Sequence, residues 1–249
     1  MRVLFLCAHA DDSEFCCGNT EIMLANLGHE VTIACMTNDE YGTKRDEFKG
    51  KRISKIRQRE MERAAQLVGA KLDWLGFIDG YLPYSHKSYI VLKNYIDQLK
   101  PDVVFAPEPL FTLDFHTDHV NTGRLAYLVL KNMKKPPLLF YFHSLKCNYY
   151  VPCRVREKAL QTLSCHVSQN MHRKLTHIGQ RLYQLVYGLF LPGYCYAEGF
   201  RLVRFKPNES SFSLRRRFMY WFSKAWNNLT LPGRNHYRPT PSELGLNES

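Results

Sequence analysis

The chain has 249 residues, 45% of them hydrophobic, with 34 Lys and Arg against 23 Asp and Glu, and eight cysteines. That length buries a sizeable core without disulfides, and no run approaches the roughly 20 apolar residues of a membrane-spanning helix. No C-x-x-C pair occurs, which argues against a zinc ribbon or a thioredoxin-type centre. Cys7 and Cys35 sit in apolar runs and read as small core residues of a protein in a reducing, cytoplasmic compartment. The apolar run after Arg2 is too short for a signal peptide and meets His9 and two aspartates. The charge is uneven. Residues 1–150 carry 19 basic against 18 acidic side chains, and residues 151–249 carry 15 against 5. The second part therefore attracts anionic partners.

In chain order, Arg2 to Ala8 reads as a buried strand. Glu14 to Leu27 is a helix, with Gly28 suited to its C-terminal stop. Val31 to Met36 is a second strand, and the polar stretch from Asn38 to Lys51 reads as a mobile loop. Ile53 to Val68 is strongly amphipathic and ends at Gly69. Leu72 to Leu75 is a short strand, Ser88 to Leu99 a helix stopped by Pro101, and Asp102 to Ala106 a strand. Thr117 to Asn132 is a helix whose Asp118 and Lys131 match its macrodipole. Pro137 to His143 is a further strand. Arg154 to Tyr187 reads as largely helical and basic, and Phe200 to Phe205 as a returning strand. Strands alternating with helices over residues 1–143 give an α/β, Rossmann-like, mostly parallel sheet flanked by helices. One domain is expected over 1–205. A basic, aromatic extension follows over 206–249, poorly ordered from Gly233 onward.

Two clusters carry chemistry. The first, His9-Ala10-Asp11-Asp12, follows the first strand. The second, His116-Thr117-Asp118-His119, follows the strand that ends at Ala106. Right-handed crossovers bring both to the carboxyl edge of one sheet, where such folds bind ligands. A half-buried pair of carboxylates costs folding stability unless a cation or strong hydrogen-bond donors offset it. If His9, Asp12 and His119 hold one divalent metal, an open position remains, as in catalytic rather than structural sites. Asp11 then lies beside a water whose pKa is lowered, and His116 faces the same pocket, where in protonated form it would stabilise an oxyanion. The chemistry is hydrolysis of an amide or ester. Phosphoester hydrolysis more often needs two metals, and no third acidic cluster is evident. The alternatives are plain: Asp12 caps a helix, the histidines lie on the surface, and Arg57 with Glu60 forms an exposed i, i+3 pair. The remaining histidines, His166 among them, have no partner at ligand spacing.

These residues resemble the LmbE-like, or PIG-L, family of zinc-dependent N-acetylglucosamine-type deacetylases. The family's A-H-P-D-D-x-E is similar to Ala8 to Glu14, and its C-G-G-T turn to Cys17-Gly18-Asn19-Thr20. Its R-x-x-E helix resembles Arg57 to Glu60, and its G-F-x-D-G resembles Gly76 to Gly80. Its H-x-D-H resembles His116 to His119, and a late Tyr-x-E-x-F resembles Tyr196 to Phe200. The likeness implies His9, Asp12 and His119 as zinc ligands, Asp11 as general base and His116 as support for the oxyanion. It also implies Arg57 and Asp79 as contacts to sugar hydroxyls. Iron or cobalt would suit the same donors. The implied substrate is an N-acetylglucosamine conjugate, small or lipid-linked and open to negative charge. Ala10 replaces the motif's proline, which frees φ in the turn, and Asn19 replaces a glycine. A non-catalytic sugar- or nucleotide-binding module and hydrolysis of another N-acyl substrate are the competing readings. Arg215, Arg216 and Arg217 beside Phe218 to Phe222 suggest peripheral contact with a membrane. Nucleic acid is not an expected partner.

Overall fold

The structure is a computed structural model, described here for residues 1–112, 114–205, 218, 221, 222, 225 and 239–246. Seven strands form one sheet: β1 (Arg2–Cys7), β2 (Glu30–Thr37), β3 (Lys71–Phe77), β4 (Val103–Pro107), β5 (Leu138–Phe142), β6 (Tyr149–Pro152) and β7 (Ala197–Val203). Their order is β3-β2-β1-β4-β5-β7-β6. The first five strands in that order are parallel. β7 returns antiparallel to β5, and β6 pairs antiparallel with β7. The expected mostly parallel α/β sheet is present. β6 and the antiparallel edge were not foreseen, because Tyr149–Pro152 is too short to show a period.

Strand alternation divides the core. Leu4, Leu6, Ala34, Met36, Val104 and Ala106 face one side, where α3 (His86–Leu99) and α4 (Thr117–Lys131) pack. Val3, Phe5, Cys7, Ile33, Cys35 and Phe105 face the other, against α1 (Asp12–Asn26) and α2 (Lys51–Val68). Burial on both faces explains why these strands read as continuous apolar runs. α4 sits tightly on β4, because a Cβ on Gly123 would lie 2.1 Å from the Pro107 carbonyl oxygen.

The basic helical stretch divides into α5 (Arg156–Ser164) and α6 (Lys174–Gly188). Asn19 is fully buried and is the tie that anchors this region. Its amide donates to Pro152 O at 3.1 Å and its oxygen accepts from the N–H groups of Arg154 and Val155. The departure from glycine in the turn motif is thus a packing device. In the extension, residues 239–246 form a turn rather than a loose tail. Thr240 and Glu243 cap each other reciprocally, a Thr-x-x-Glu pattern legible in the sequence. Pro239 O accepts from Tyr41 Oη at 2.6 Å, so this turn lies on the loop after β2. Arg215, Arg216 and Arg217 fall outside the described residues. No helix among the described residues is long and apolar enough to cross a membrane.

Candidate active site

The sheet's order reverses at β1, whose neighbours are β2 and β4, and the site opens at the carboxyl ends of these strands. His9 and Asp12 follow β1, Asp39 follows β2, Asp79 follows β3, and His116 and His119 lie at the start of α4. They line a cleft of about 1090 Å³ together with Asp11, Arg57, Asp114 and His143; Asp39 backs it without reaching its surface. The two clusters read from the sequence do meet there.

The first turn is built around Asp12. Its Oδ2 accepts from the N–H groups of Ala8 and His9, both at 2.9 Å, which aims Oδ1 at His119 Nε2, 3.2 Å away. His119 Nε2 is also 3.0 Å from His9 Nδ1. The second nitrogen of each ring meets a carboxylate. His9 Nε2 is 3.0 Å from Asp79 Oδ1 and 3.3 Å from Asp118 Oδ2, and His119 Nδ1 is 2.7 Å from Asp114 Oδ2. A carboxylate on one nitrogen leaves the other nitrogen to ligate, the arrangement typical of imidazoles that hold metals. The donor types suit a divalent cation, and the separations of His119 Nε2 from His9 Nδ1, 3.0 Å, and from Asp12 Oδ1, 3.2 Å, are close to the about 3.3 Å implied by bonds of about 2.0 Å in a tetrahedron. Related groupings of His9 with His116 and His119, and of His119 with Asp114 and His143, lie around the same point.

The electrostatics carry the same message. Six carboxylates gather here: Asp11 and Asp39 meet the Arg57 guanidinium, Asp79 and Asp118 meet His9, and Asp12 and Asp114 meet His119. Burial works against charged imidazoles, yet Asp79 and its neighbours push His9 well above its ordinary value. Asp114 and Asp12 likewise push His119 up to about 10. Against the cost of burial, His119 and His9 hold the Asp12 carboxyl well below the usual range. So much negative charge draws protons onto the histidines wherever no cation takes their place. Asp11 behaves differently: burial raises its carboxyl to about 6, with Arg57 opposing.

Asp11 adopts φ 90°, a left-handed conformation unusual for a residue with a side chain. Its strain is held by neighbours. Arg57 donates to Ala10 O and lies 3.3 Å from Asp11 Oδ1. Ala10 N–H donates to Asp39 Oδ2 at 3.1 Å, a bond that proline cannot make. The turn that lost a proline is thus fixed by a hydrogen bond instead. Arg57 and Glu60 are both buried and make no surface pair. Arg57 Nε lies 3.2 Å from Asp39, and Glu60 accepts from Ser168 N and Oγ.

His116 is pushed down to about 4 by burial and by the charge of His9. Its Nδ1 accepts from Asp118 N at 3.3 Å, which leaves the proton of the neutral ring on Nε2. In its neutral form His116 can therefore donate a hydrogen bond without being a cation, so an oxyanion-supporting role does not require its protonation. Asp79 uses both oxygens, Oδ1 on His9 and Oδ2 on Tyr41 N at 3.1 Å, so it orients His9 and the following loop. That loop is anchored rather than loose at its base. Asp39 and Glu40 are buried, and Glu40 accepts from Asp79 N at 3.0 Å. Sequence reasoning missed Asp39, Asp114, Tyr41 and His143. Asp39 had one available signal, since it follows a strand of the same sheet. His166, which has no partner at ligand spacing in the sequence, is fully enclosed in the fold, 3.7 Å from Glu14.

The family model described as PIG-L, GlcNAc-PI de-N-acetylase, matches residues 4–130, just over half of the chain. The chain belongs to the LmbE-like, or PIG-L, family. Among similar proteins is a Bacillus cereus protein described as "probable N-acetyl-alpha-D-glucosaminyl L-malate deacetylase 2". It is 29% identical over 142 residues, 54% of this chain and 63% of that protein. A mycothiol S-conjugate amidase of Streptomyces coelicolor is 24% identical over 53% of this chain and 52% of its own length. The chain thus spans less than two thirds of these curated relatives. The solved structure of N,N'-diacetylchitobiose deacetylase from Pyrococcus horikoshii, in complex with its inhibitor MPG, superposes with a TM-score of 0.76. It is 29% identical, over 83% of this chain and 87% of that one. Family membership accounts for both clusters and for the sheet that joins them.

Proposed function

We propose that this protein is a divalent-metal-dependent, most simply zinc-dependent, N-deacetylase of an N-acetylglucosamine-type conjugate. The observation that carries the reading is the convergence of His9 Nδ1, Asp12 Oδ1 and His119 Nε2, each ring backed by a carboxylate, beside a strained Asp11. A relative that acts on a glucosaminyl malate and one that acts on diacetylchitobiose support the amino-sugar class.

His9, Asp12 and His119 would hold the ion. When bound, it supplies Lewis acidity to the carbonyl and to water. The remaining work belongs to the chain. Asp11, held by Arg57, takes a proton from the water that attacks the amide carbonyl. His116 donates its Nε2–H to the developing oxyanion. Asp11 then returns the proton to the departing nitrogen, so that one water and one amide give acetate and a free amine. Arg57 and Asp79 border the sugar. Lys44, Arg45 and Lys49 line the outer cleft, with Lys49 2.6 Å from Asp46, and favour a conjugate whose carrier is negatively charged.

The test is acetate release from free N-acetylglucosamine, a nucleotide sugar, a glycolipid and an oligosaccharide, each with zinc and after chelation. Metal-dependent release from any of them supports the reading. No release from any, with metal bound, leaves hydrolysis of another N-acyl substrate or the non-catalytic binding module.

A further inference from the structure

Helix α6 is inside out. Its buried residues include the amides Gln180 and Gln184, at 1% and 2% exposure, whereas Leu175, Leu182 and Leu189 are exposed at 79%, 57% and 79%. The inward amides are satisfied. Gln180 donates to the carbonyls of Glu14 and Phe15, and Gln184 accepts from Arg156 Nε. Ile178, Leu185 and Val186 complete the outer stripe. At 3.6 residues per turn, these six positions fall within an arc of about 100°, the width of an apolar face that normally meets a core. Among the described residues nothing covers it.

The charge around the stripe has one sign. Residues 158–197 contain no Asp or Glu, while Lys158, Arg173, Lys174 and Arg181 lie among them. Lys174 and Arg181 flank the same edge of the apolar arc, where long cationic stems lie along apolar groups and raise their charges to an anionic layer. A second copy of this chain is a poor occupant, because each brings a net charge of +11. Residues 206–238 of the chain itself carry seven Lys and Arg against one Glu, and so add to the same field.

We infer that the outer face of α6 is a membrane-interfacial surface that seats on an anionic lipid bilayer. Apolar side chains enter the acyl boundary while Lys174, Arg181 and the neighbouring cations meet the headgroups, two signals that reinforce one another. The placement has a functional consequence. Val167 to Met171 form one wall of the cleft and lead directly into α6, so a seated helix brings the cleft mouth to headgroup level.

The inference does not depend on the deacetylase reading, and its test needs no turnover. The full chain is floated with vesicles of phosphatidylcholine alone or of phosphatidylcholine with phosphatidylglycerol, at low and high salt. Wild type is expected to float with the anionic vesicles only, and less at high salt. The Leu182→Glu/Leu189→Glu variant should float at least tenfold less, with melting temperature unchanged. Equal flotation of variant and wild type overturns the inference. So does a stripe that drives dimerisation in the absence of lipid, or a variant that unfolds because the stripe is internal. A Leu182→Trp variant provides a gain of signal: blue-shifted emission, quenched by brominated lipid, in anionic vesicles alone. Unchanged emission overturns the inference as well.

Discussion

The cleft and helix α6 both bury polar side chains, and they do so in opposite ways. At the cleft the buried groups are charged. Two carboxylates meet the Arg57 guanidinium and four meet the imidazoles of His9 and His119, and Asp114 and Asp12 push His119 up to about 10. Under α6 the buried groups are neutral amides, each paired with a carbonyl or an arginine, and the charge balance is untouched. Buried charge is costly unless a cation, a protonated partner or strong donors offset its desolvation. Buried, satisfied amides signal structure. Their cost appears elsewhere, in the apolar side chains that α6 leaves facing outward.

The most severe way to break the contrast is Asp11→Asn. It should lower acetate release by about 10² to 10⁴-fold while metal analysis finds the ion still bound. A rate within tenfold of wild type would remove Asp11 from the chemistry. Asp114→Asn should weaken metal affinity by about 10 to 100-fold, because His119 Nδ1 loses the carboxylate 2.7 Å away. Titration with a competing chelator reads this directly.

On the α6 side, Gln180→Leu removes a side-chain donor from two α1 carbonyls and should cost about 0.5–1.5 kcal/mol in denaturant unfolding. Leu182→Ser on the outer face should stay within about 0.5 kcal/mol. A reversed order of the two would mean that α6 is mis-seated. The finest effect concerns pH. Burial raises Glu198 from 4.5 to about 7, although Asn19 N, Thr20 N and Thr20 Oγ1 all donate to it. The folded state thus favours the protonated acid. The stability this contributes is fully present below the ordinary value and is lost as pH rises through about 7. Glu198→Gln should flatten the fall in melting temperature across that window; an unchanged slope assigns the fall to another group.

Much of this was legible in the residues themselves. Apolar runs of four to six residues, alternating with amphipathic stretches closed by Gly28, Gly69 and Pro101, determined a parallel α/β sheet, because local periodicity and chain-stopping residues act over short distances. Strand-end position then placed His9, Asp11, Asp12, His116 and His119 on one edge. What only the tertiary structure decided depends on groups distant in sequence. Asp39 reaches Ala10 and Arg57 across 29 and 18 positions and replaces a proline's constraint with a hydrogen bond. Burial pushes His116 down, and a backbone N–H occupies its Nδ1. The outward face of α6 was equally hidden: its amphipathic pattern shows that one side is apolar, but only the bonds of Gln180 and Gln184 to the rest of the fold settle which side turns in.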